Sequence, residues 1–351
     1  MKMKKTHKKR IVHIEYGIDV IRSQYEEGRT SRRLFYGTLQ LEKHYDVVYV
    51  SFNAYSRWKS LLNNLKLLQP ADMIYMPYFY VSTLVLITFL RSLGFYRKRK
   101  LVVVSHKTLD TGTGFIKRWL YKKLYKTIDM MLFHSQKNME ESIATSMVSS
   151  NHAQLLRWGD DLRYIDHNYN ISIGSFFISS GSEQRDFRTL IDAFSNVGKP
   201  LELYTNKVHY NNNYFFLSEE QDKYPNVKIE FVKRNANTAR FLGQRTSECL
   251  CVVIPLLKEQ VNYCVGLTSV VEAMAMGKPI ISTRNPYFPV DLEKEKIGFF
   301  VDDVESWEQA IRYMSDHPEE AAVMGLRARL LAEKMFNIDA TTAQLEEIIH
   351  K

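Results

Sequence analysis

The sequence Gly266-Leu-Thr-Ser-Val-Val-Glu-Ala-Met-Ala-Met-Gly-Lys-Pro279, followed by Ile-Ile-Ser-Thr, predicts a glycine loop, a short helix and a buried strand. Thr268 or Ser269 is suited to cap the helix, and Gly277 is suited to end it, with a proline just beyond. The isoleucines that follow indicate a strand. A glycine loop and a short helix that lead into a buried strand are typical of an α/β domain.

The amino end of this helix has the chemistry of an anion site. Gly266 starts the loop, and the backbone N–H groups of Leu267, Thr268 and Ser269 lie where a helix leaves its donors unpaired. Glu272, expected within about the first turn, offers a carboxylate to ribose hydroxyls. A nucleotide diphosphate needs both features, although the same spacing of glycine and proline also occurs in helices that bind nothing.

Strands and helices alternate along all 351 residues, which suffice for two α/β domains with doubly wound parallel sheets. In the first half, apolar runs predict strands at Arg10–Tyr16, Tyr45–Phe52, Asp72–Tyr78, Lys100–Ser105, Met130–His134 and Gln154–Arg157. Helices are predicted there at about 29–43, 55–68, 80–94, 114–127 and 137–146. The second half predicts strands at Ser175–Ser179, Leu201–Tyr204, Lys228–Phe231, Cys249–Ile254, Ile280–Ser282 and Gly298–Val301. Its tail predicts helices at Ser306–Ser315, Glu319–Met335 and Thr341–Ile349.

The polar stretch Asp166–Ser172 marks the predicted boundary between the domains. We expect an N-terminal domain over residues 1–170, a C-terminal domain over 171–335 and a final helix within 336–351. Two such domains leave a cleft between the carboxyl ends of their strands, where α/β proteins bind ligands.

Composition and cysteine usage indicate a protein of a reducing compartment. Cys249, Cys251 and Cys264 are too few for a disulfide framework and lack zinc-site spacing. The basic N-terminus leads into a strand that contains Glu15, which is unlike a signal peptide. The most apolar run, Val81–Leu90, is far shorter than the ~20 residues that span a bilayer. We therefore expect a cytoplasmic protein without a transmembrane segment.

The charge is unevenly distributed. Residues 1–170 contain 28 Lys and Arg against 14 Asp and Glu, whereas residues 171–351 contain 20 against 25. An excess of positive charge in one half predicts an anionic partner for that half, either nucleic acid or an anionic membrane.

The predicted helix 114–127 favours the membrane. At ~100° per residue, Ile116, Leu120 and Leu124 form a stripe that should pack on the sheet. Another face mixes aromatic and basic residues, as suits a phospholipid headgroup layer: Phe115, Arg118, Trp119, Lys122, Tyr125 and Lys126. Arg97–Lys100 and the N-terminal lysines add charge. No recognised nucleic-acid-binding module is present, so we expect no nucleic acid partner.

The segment around Glu272 resembles the donor-site helix of GT-B glycosyltransferases, especially the retaining family 4. Their pattern is roughly E-x-x-G-x-x-x-x-E-A-M-A-x-G-K-P-V-I. In that family the second Glu holds the ribose of a sugar nucleotide, and Glu272 matches it. The first Glu contacts the transferred sugar, but this position is Cys264 here, and the Gly is displaced by one position. The resemblance covers most of the chain and implies a GT-B fold: two Rossmann-like domains facing a cleft, with the last helix crossing back to the first domain.

The resemblance also implies roles for other residues. Gly266 and the N–H groups of Leu267–Ser269 would hold the diphosphate. Family members usually carry an Arg beside the glycine at 181, where this chain has Ser182, so Arg185 is the substitute and Lys207 a second candidate. His106 would contact the sugar as the catalytic residue, and Gly17 and Cys264 would line the sugar pocket. Glu259 could replace the missing carboxylate if its loop folds back. No metal or other cofactor is expected.

By resemblance, the chain is expected to be a hexosyltransferase-type enzyme with a retaining mechanism. It would take a sugar from a UDP- or GDP-sugar and add it to a lipid-linked or saccharide acceptor in cell-surface polysaccharide assembly, such as capsule, exopolysaccharide or lipopolysaccharide. The protein would be peripheral on the inner face of the plasma membrane. A sugar-nucleotide epimerase and a non-catalytic partner subunit of the same fold are the alternatives; the second is consistent with Cys264 and Ser182.

Overall fold

The computed structural model describes residues 8–52, 71–78, 80–94, 99–233, 235–261 and 263–350. The predicted helix at 55–68, residues 97 and 98 of the basic cluster and the first seven residues lie outside the described residues. The chain divides into two compact units, Met1–Trp158 with Ile338–Lys351, and Gly159–Asn337. None of the helices in the described ranges has the length and apolarity needed to cross a bilayer.

The first unit contains a six-stranded parallel sheet in the order β2-β1-β3-β4-β5-β6. Its strands are β1 (Arg10–Tyr16), β2 (Asp46–Phe52), β3 (Met73–Met76), β4 (Lys100–Ser105), β5 (Met130–Phe133) and β6 (Ala153–Leu155). Their alternate residues pack into one apolar core, as expected for parallel strands covered by helices. The predicted strands are confirmed, with boundary shifts of at most a few residues.

The helices of this unit differ more from prediction. They are α1 (Ile18–Glu26), α2 (Thr38–Leu41), α3 (Val81–Ser92), α4 (Phe115–Tyr125) and α5 (Gln136–Ala144). The sequence analysis missed α1. The predicted helix 29–43 is wrong, because the chain there forms a 3₁₀ turn at Arg32–Phe35 and then α2. Gly37 divides the two with φ of 90°, a left-handed conformation that favours glycine.

The last helix of the structure, α13 (Ile338–His350), belongs to the first unit, as predicted. Thr341 donates to the backbone oxygen of Arg157 at 2.8 Å, and Lys100 Nζ donates to that of Ile348 at 2.9 Å. At Gly37 an added Cβ would lie 3.1 Å from the Leu345 side chain, so α2 and α13 approach closely. The first unit is therefore built from two separate stretches of the chain.

The second unit contains a six-stranded parallel sheet in the order β11-β8-β7-β12-β13-β14 and a separate hairpin of β9 and β10. The sheet strands are β7 (Phe177–Ser180), β8 (Leu201–Thr205), β11 (Val227–Phe231), β12 (Cys251–Ile254), β13 (Ile280–Thr283) and β14 (Gly298–Val301). The hairpin strands are β9 (Val208–His209) and β10 (Asn212–Asn213). In the unit's own numbering the sheet order is 3-2-1-4-5-6, which is the Rossmann order. The order reverses between β7 and β12, and ligands of such sheets bind beyond the carboxyl ends of the strands at this point.

The helices of the second unit are α6 (Leu162–Asn168), α7 (Phe187–Val197), α8 (Leu217–Glu220), α9 (Ala236–Glu248), α10 (Leu267–Ala275), α11 (Val304–Asp316) and α12 (Pro318–Lys334). The predicted boundary at residue 170 is too late. Ile165 of α6 is buried against Ala275 and Met276 at the end of α10, so α6 belongs to the second unit. Packing across the chain, which local polarity does not reveal, therefore moves the division to Trp158 and Gly159.

Gly298 is expected to be essential for the stability of the second unit. An added Cβ would lie 1.8 Å from the backbone oxygen of Ile280, and backbone cannot move aside as a side chain can. We predict that Gly298→Ala lowers the free energy of unfolding by about 3 kcal/mol or more, as measured by urea denaturation. The control is Gly198→Ala: φ is 73° there, but no atom lies within 4 Å of an added Cβ, so the loss should be about 1 kcal/mol. Equal losses in the two variants would contradict this account.

Candidate functional site

The helix α10 begins with an unusual amino end. Gly266 precedes it with φ of 89°, and no side chain caps it, so the predicted caps Thr268 and Ser269 are wrong. Ser269 instead donates to the backbone oxygen of Ser180, at the end of β7, at 3.3 Å. The N–H of Leu267 is already bonded to Cys264, whereas in the described part of the chain those of Thr268 and Ser269 donate to no backbone carbonyl. Two donors at the positive end of the helix are thus left for a ligand.

The remainder of α10 fixes the position of Glu272. This residue lies in the second turn of the helix, one turn later than predicted, and its side chain is half-buried. The helix ends where predicted: Gly277, with φ of 62°, donates to Met274, and Lys278 donates to Ala273. At Gly325 in α12 an added Cβ would lie 2.1 Å from the backbone oxygen of Gly277. The end of α10 and helix α12 are therefore in backbone contact at these two glycines. This contact holds α10 in place.

A cavity of about 350 Å³ lies at the amino end of α10, wholly within the second unit. It follows the carboxyl ends of β7, β8 and β11, at the reversal in strand order where α/β sheets bind ligands. Its volume is in the range of small-molecule sites. Five of the predicted donor residues line it: Arg185, Gly266, Thr268, Ser269 and Glu272. It is also lined by Ser180, Gly181, Ser182, Glu183, Tyr204, Thr205, Asn206, His209, Val232, Lys233, Asn235, Thr238, Ala239 and Leu242.

Arg185 is a buried cation that lines this cavity. Its side chain is only 6% exposed, and its Nη1 donates to the backbone oxygen of Glu183 at 3.0 Å. Arg185 forms no ion pair with a carboxylate in the described part of the chain. Burial is the main cause that lowers the pKa of Arg185, to about 10, and the charge of Glu183 opposes it in part. A buried guanidinium without an anion is unfavourable, so the cavity is suited to a ligand that brings negative charge.

Gly181 makes room for this guanidinium. An added Cβ would lie 2.7 Å from Nη2 of Arg185, so a larger residue would displace the side chain. The neighbouring Ser182 is engaged elsewhere: it donates to the side-chain oxygen of Asn206 at 2.9 Å and accepts from the backbone N–H of that residue. Ser182 therefore joins the ends of β7 and β8, and among the described residues Arg185 is the arginine that lines the cavity.

In the first unit, His106 and Gly17 follow the carboxyl ends of β4 and β1. Nε2 of His106 lies 2.9 Å from the backbone oxygen of Pro77; a carbonyl only accepts, so Nε2 carries the hydrogen. In neutral His106, Nδ1 is therefore an acceptor. The ring stacks on Tyr78, with centroids 4.0 Å apart and planes 9° apart. Gly17 has φ of 65°, and no atom lies within 4 Å of an added Cβ, so there is open space beside it.

Buried polar pairs surround these residues. His134 lies with its ring centroid 4.9 Å from that of His106, and burial, followed by the charge of His106, lowers the pKa of His134 to about 3. His134 is therefore neutral at physiological pH. In β1, the imidazole of His13 lies 2.9 Å from a carboxyl oxygen of Glu15, and burial raises the pKa of that carboxyl.

Comparison with solved structures identifies proteins of similar architecture. No protein-family model and no curated protein matches the chain. HepE of Anabaena, solved in complex with UDP and glucose, matches with a TM-score of 0.66 and 16% identity over 98% of this chain and 100% of that chain. A glycosyltransferase of Rickettsia africae matches with a TM-score of 0.66 and 13% identity over 97% and 98% of the two chains. WaaG, a glycosyltransferase involved in lipopolysaccharide biosynthesis, matches with a TM-score of 0.57 and 11% identity over 97% and 99%.

The chain has the GT-B fold. At identities this low the likeness concerns the fold alone, and the chemistry must be argued from the residues themselves. The predicted GT-B architecture of two Rossmann-like units, each with a parallel sheet, is thereby confirmed.

Within the GT-B fold, some predicted site residues lie outside the cavity. Lys207 is exposed and places its ammonium 4.8 Å from the Phe231 ring centroid. Cys264 is 7% exposed and does not line the cavity, and burial raises the pKa of its thiol to about 12, which makes it a poor nucleophile. Leu267 is buried. Glu259 is exposed in a 3₁₀ turn away from the cavity and does not replace the missing carboxylate there.

The basic helix α4 is exposed along most of its length. The predicted packing of Ile116 and Leu120 is wrong, because they are 74% and 51% exposed, whereas the predicted packing of Leu124 on the core is confirmed. Tyr125, predicted on the headgroup face, is wrong as well, because it is buried in the core. Phe115 and Trp119 are 83% and 49% exposed. Arg118, Lys122 and Lys126 are exposed as well. Helix α3, which packs beside α4, adds the exposed apolar side chains of Val85, Phe89 and Leu93. The two helices form an apolar and basic surface, which we call the α3–α4 face.

Several residues of the cavity escaped the sequence analysis. Asn206, His209, Lys233, Asn235 and Thr238 follow β8 and β11 or begin α9. They belong to no recognisable motif, and only the strand order brings the ends of β8 and β11 beside α10. A systematic search for polar residues after each predicted strand would have found them.

Proposed function

We propose that this protein is a glycosyltransferase that transfers a sugar from a UDP- or GDP-sugar to a lipid-linked or saccharide acceptor. The observation that carries the proposal is the cavity of the second unit. It combines a buried arginine that forms no ion pair among the described residues, two backbone donors at a helix amino end and a carboxylate one turn further along that helix. A nucleoside diphosphate offers an anion to the first two and ribose hydroxyls to the third.

Three groups act on the diphosphate. The N–H groups of Thr268 and Ser269 and the guanidinium of Arg185 are positive and lie in a partly enclosed cavity, where electrostatic interactions are stronger than in water. When the bond from the sugar to the diphosphate breaks, negative charge grows on the leaving phosphate. Donors held in place beforehand stabilise that charge more than they stabilise the bound substrate, which accelerates transfer.

Glu272 and His106 have positioning roles in this proposal. The Glu272 carboxylate accepts hydrogen bonds from the ribose and so fixes where the diphosphate lies. His106 would contact the sugar through Nδ1, the ring atom that accepts in the neutral form. The proposed reaction retains the configuration at the sugar and requires no metal, because Arg185 and the helix amino end neutralise the leaving group. The UDP complexes of HepE favour UDP as the nucleotide.

The α3–α4 face supports an acceptor held at an anionic membrane. Helix α4 carries four Lys and Arg and no acidic residue between Phe115 and Tyr125, with Phe115, Ile116 and Trp119 exposed among them. Apolar side chains that enter the lipid and cations that meet phosphate headgroups act together in peripheral binding. A lipid-linked acceptor of cell-surface polysaccharide assembly lies in such a membrane, on its inner face.

The function is tested by incubating the protein with a panel of UDP- and GDP-sugars and membrane lipid extract. Transfer of sugar to extracted lipid or saccharide is the expected result, and the anomeric configuration of the product reports retention. Turnover without any acceptor to a new sugar nucleotide would support an epimerase instead. Binding of nucleotide without turnover of any donor would identify a non-catalytic partner subunit. That alternative has one specific observation in its favour, the absence of a carboxylate at Cys264.

Membrane binding is predicted to depend on the exposed aromatic residues of α4. Phe115→Ser combined with Trp119→Ser should weaken binding to phosphatidylglycerol-containing vesicles about tenfold or more, because each buried aromatic contributes roughly 1.5–3 kcal/mol. The measurement is co-sedimentation with vesicles. Leu326→Ser combined with Leu330→Ser on α12 is the matched control, since these residues are 60% and 55% exposed in the second unit. Wild-type binding should fall with added salt; equal losses in both variants would contradict a specific role of α4.

A further inference from the structure

The hairpin of β9 and β10 lies at the edge of the donor cavity. It follows β8 directly, and its two strands pair His209 with Asn212, which leaves Tyr210 and Asn211 as a two-residue turn. The backbone N–H of Tyr214 donates to Lys207 at 2.9 Å and closes the base of the hairpin. His209 lines the cavity, whereas Tyr210 follows it in the sequence and lies outside the lining, so the turn is adjacent to the cavity.

Tyr210 occupies this turn in a conformation that tyrosine seldom adopts. Its φ is 49°, in the left-handed region, where asparagine and glycine are the usual residues of two-residue hairpins. Its ring is 81% exposed, so core packing does not explain the choice of residue. The ring contacts that of His209, with centroids 4.5 Å apart and planes 62° apart. An exposed aromatic residue kept in an unfavourable conformation beside a cavity indicates a binding role.

The order of chemical groups along the edge of the sheet indicates which part of a bound nucleotide would lie beside His209 and Tyr210. The diphosphate groups follow β7 and β12, where Arg185 and the start of α10 lie. Strand β8 lies beside β7, and β11 lies beyond β8, so each step along the sheet leads ~4.8 Å further from the diphosphate groups. There the lining becomes partly apolar, with Val232, Ala239 and Leu242. A nucleotide whose phosphates lie at α10 therefore extends its base toward the ends of β8 and β11, where the hairpin begins.

We propose that the His209–Tyr210 pair binds the nucleobase of the sugar nucleotide. This rests on the proposed function and adds a nucleobase subsite to it. Aromatic rings bind bases by stacking on their π-faces, which requires little sequence-specific hydrogen bonding. The base end of the donor would then be held by side chains of the hairpin, and the phosphate end by Arg185 and α10.

The test compares ligands with and without a base. Tyr210→Asn removes the ring while retaining a residue that tolerates the left-handed conformation, so the variant should fold with an unchanged or raised unfolding temperature. Isothermal titration should show an about tenfold or larger rise in the Kd for UDP and GDP, and an unchanged Kd for inorganic pyrophosphate. Tyr210→Phe should bind all three ligands as the wild type does. Phe215→Asn is the matched control, because Phe215 is an exposed aromatic residue, at 54%, that follows β10 and lies outside the turn.

The outcomes separate this inference from the proposed function. If the wild type binds UDP or GDP and Tyr210→Asn binds them equally well, the hairpin role is overturned while the proposed function stands. An equal loss for pyrophosphate would also overturn it, since the ring would then act on the phosphate end. If the wild type binds neither nucleotide, the proposed function fails, and the base site fails with it.

Discussion

Replacing Arg185 with methionine is expected to raise the Kd for UDP about a hundredfold while making the ligand-free protein more stable. Charge-assisted hydrogen bonds to phosphate contribute roughly 1.5–3 kcal/mol each, and the guanidinium can form two. In the part of the chain that the structure describes, no carboxylate forms an ion pair with this buried charge, and a methionine of similar length removes the cost of burying it. Calorimetric titration with UDP and a thermal unfolding midpoint without ligand measure the two effects.

Arg188→Met provides the control for this prediction. Arg188 is exposed on α7, where its guanidinium lies 3.9 Å from the centroid of the Phe216 ring, and it does not line the cavity. Arg188→Met removes the same positive charge from the same region. Because Arg188 lies outside the cavity, the effect of this substitution on UDP affinity should be small. Unchanged UDP affinity in Arg185→Met, or a lower unfolding midpoint, would show that Arg185 serves the fold through its bond to Glu183 instead of a ligand.

Glu272→Ala is expected to remove the discrimination between ribose and deoxyribose. A carboxylate that accepts from the ribose hydroxyls makes the wild type bind UDP about ten to a hundredfold more tightly than 2′-deoxy-UDP, since each such bond contributes roughly 1.5–3 kcal/mol. Without the carboxylate both nucleotides should bind alike and weakly. The four Kd values form a double cycle in which the protein change and the ligand change are coupled.

Pyrophosphate gives a second measure for Glu272. The affinity of the protein for pyrophosphate should not fall in Glu272→Ala, because the loss of a negative side chain near the diphosphate does not weaken the binding of an anion. Glu305→Ala, at the start of α11, is the control for loss of a surface carboxylate. A variant that still prefers UDP over its deoxy form would falsify the ribose role and with it the central part of the proposed donor site.

The strands were predictable because parallel strands buried on both faces form short apolar runs between polar turns. Arg10–Tyr16, Lys100–Ser105 and Gly298–Val301 match the structure to the residue. Helices were harder. Helix α1 follows Gly17 with a polar exposed face, and the break at Gly37 depends on close contact with α13, which is 300 residues away in the sequence.

In the candidate site, Glu272 and Gly266 line the cavity as predicted from the pattern of a glycine loop and a helix start, and Arg185 lines it as the family resemblance implied. The sequence analysis placed the helix cap wrongly at Thr268 or Ser269, since the left-handed Gly266 and the bond from Ser269 to β7 are tertiary features. In helix α4 the carboxyl-terminal residues Leu124 and Tyr125 pack on the core, whereas Ile116 and Leu120 are exposed, so the apolar period of the sequence did not give the position along the helix at which packing begins.

The return of α13 to the first unit has a consequence for biosynthesis. Residues 159–337 form a compact unit from one continuous stretch, whereas the sheet that precedes them awaits Ile338–His350. On the ribosome the residues of the second unit are therefore all synthesised before the first unit receives its last helix, although N-terminal domains generally fold first. Until α13 emerges, the surfaces around Gly37, Tyr45 and Arg157 that it covers stay exposed to solvent.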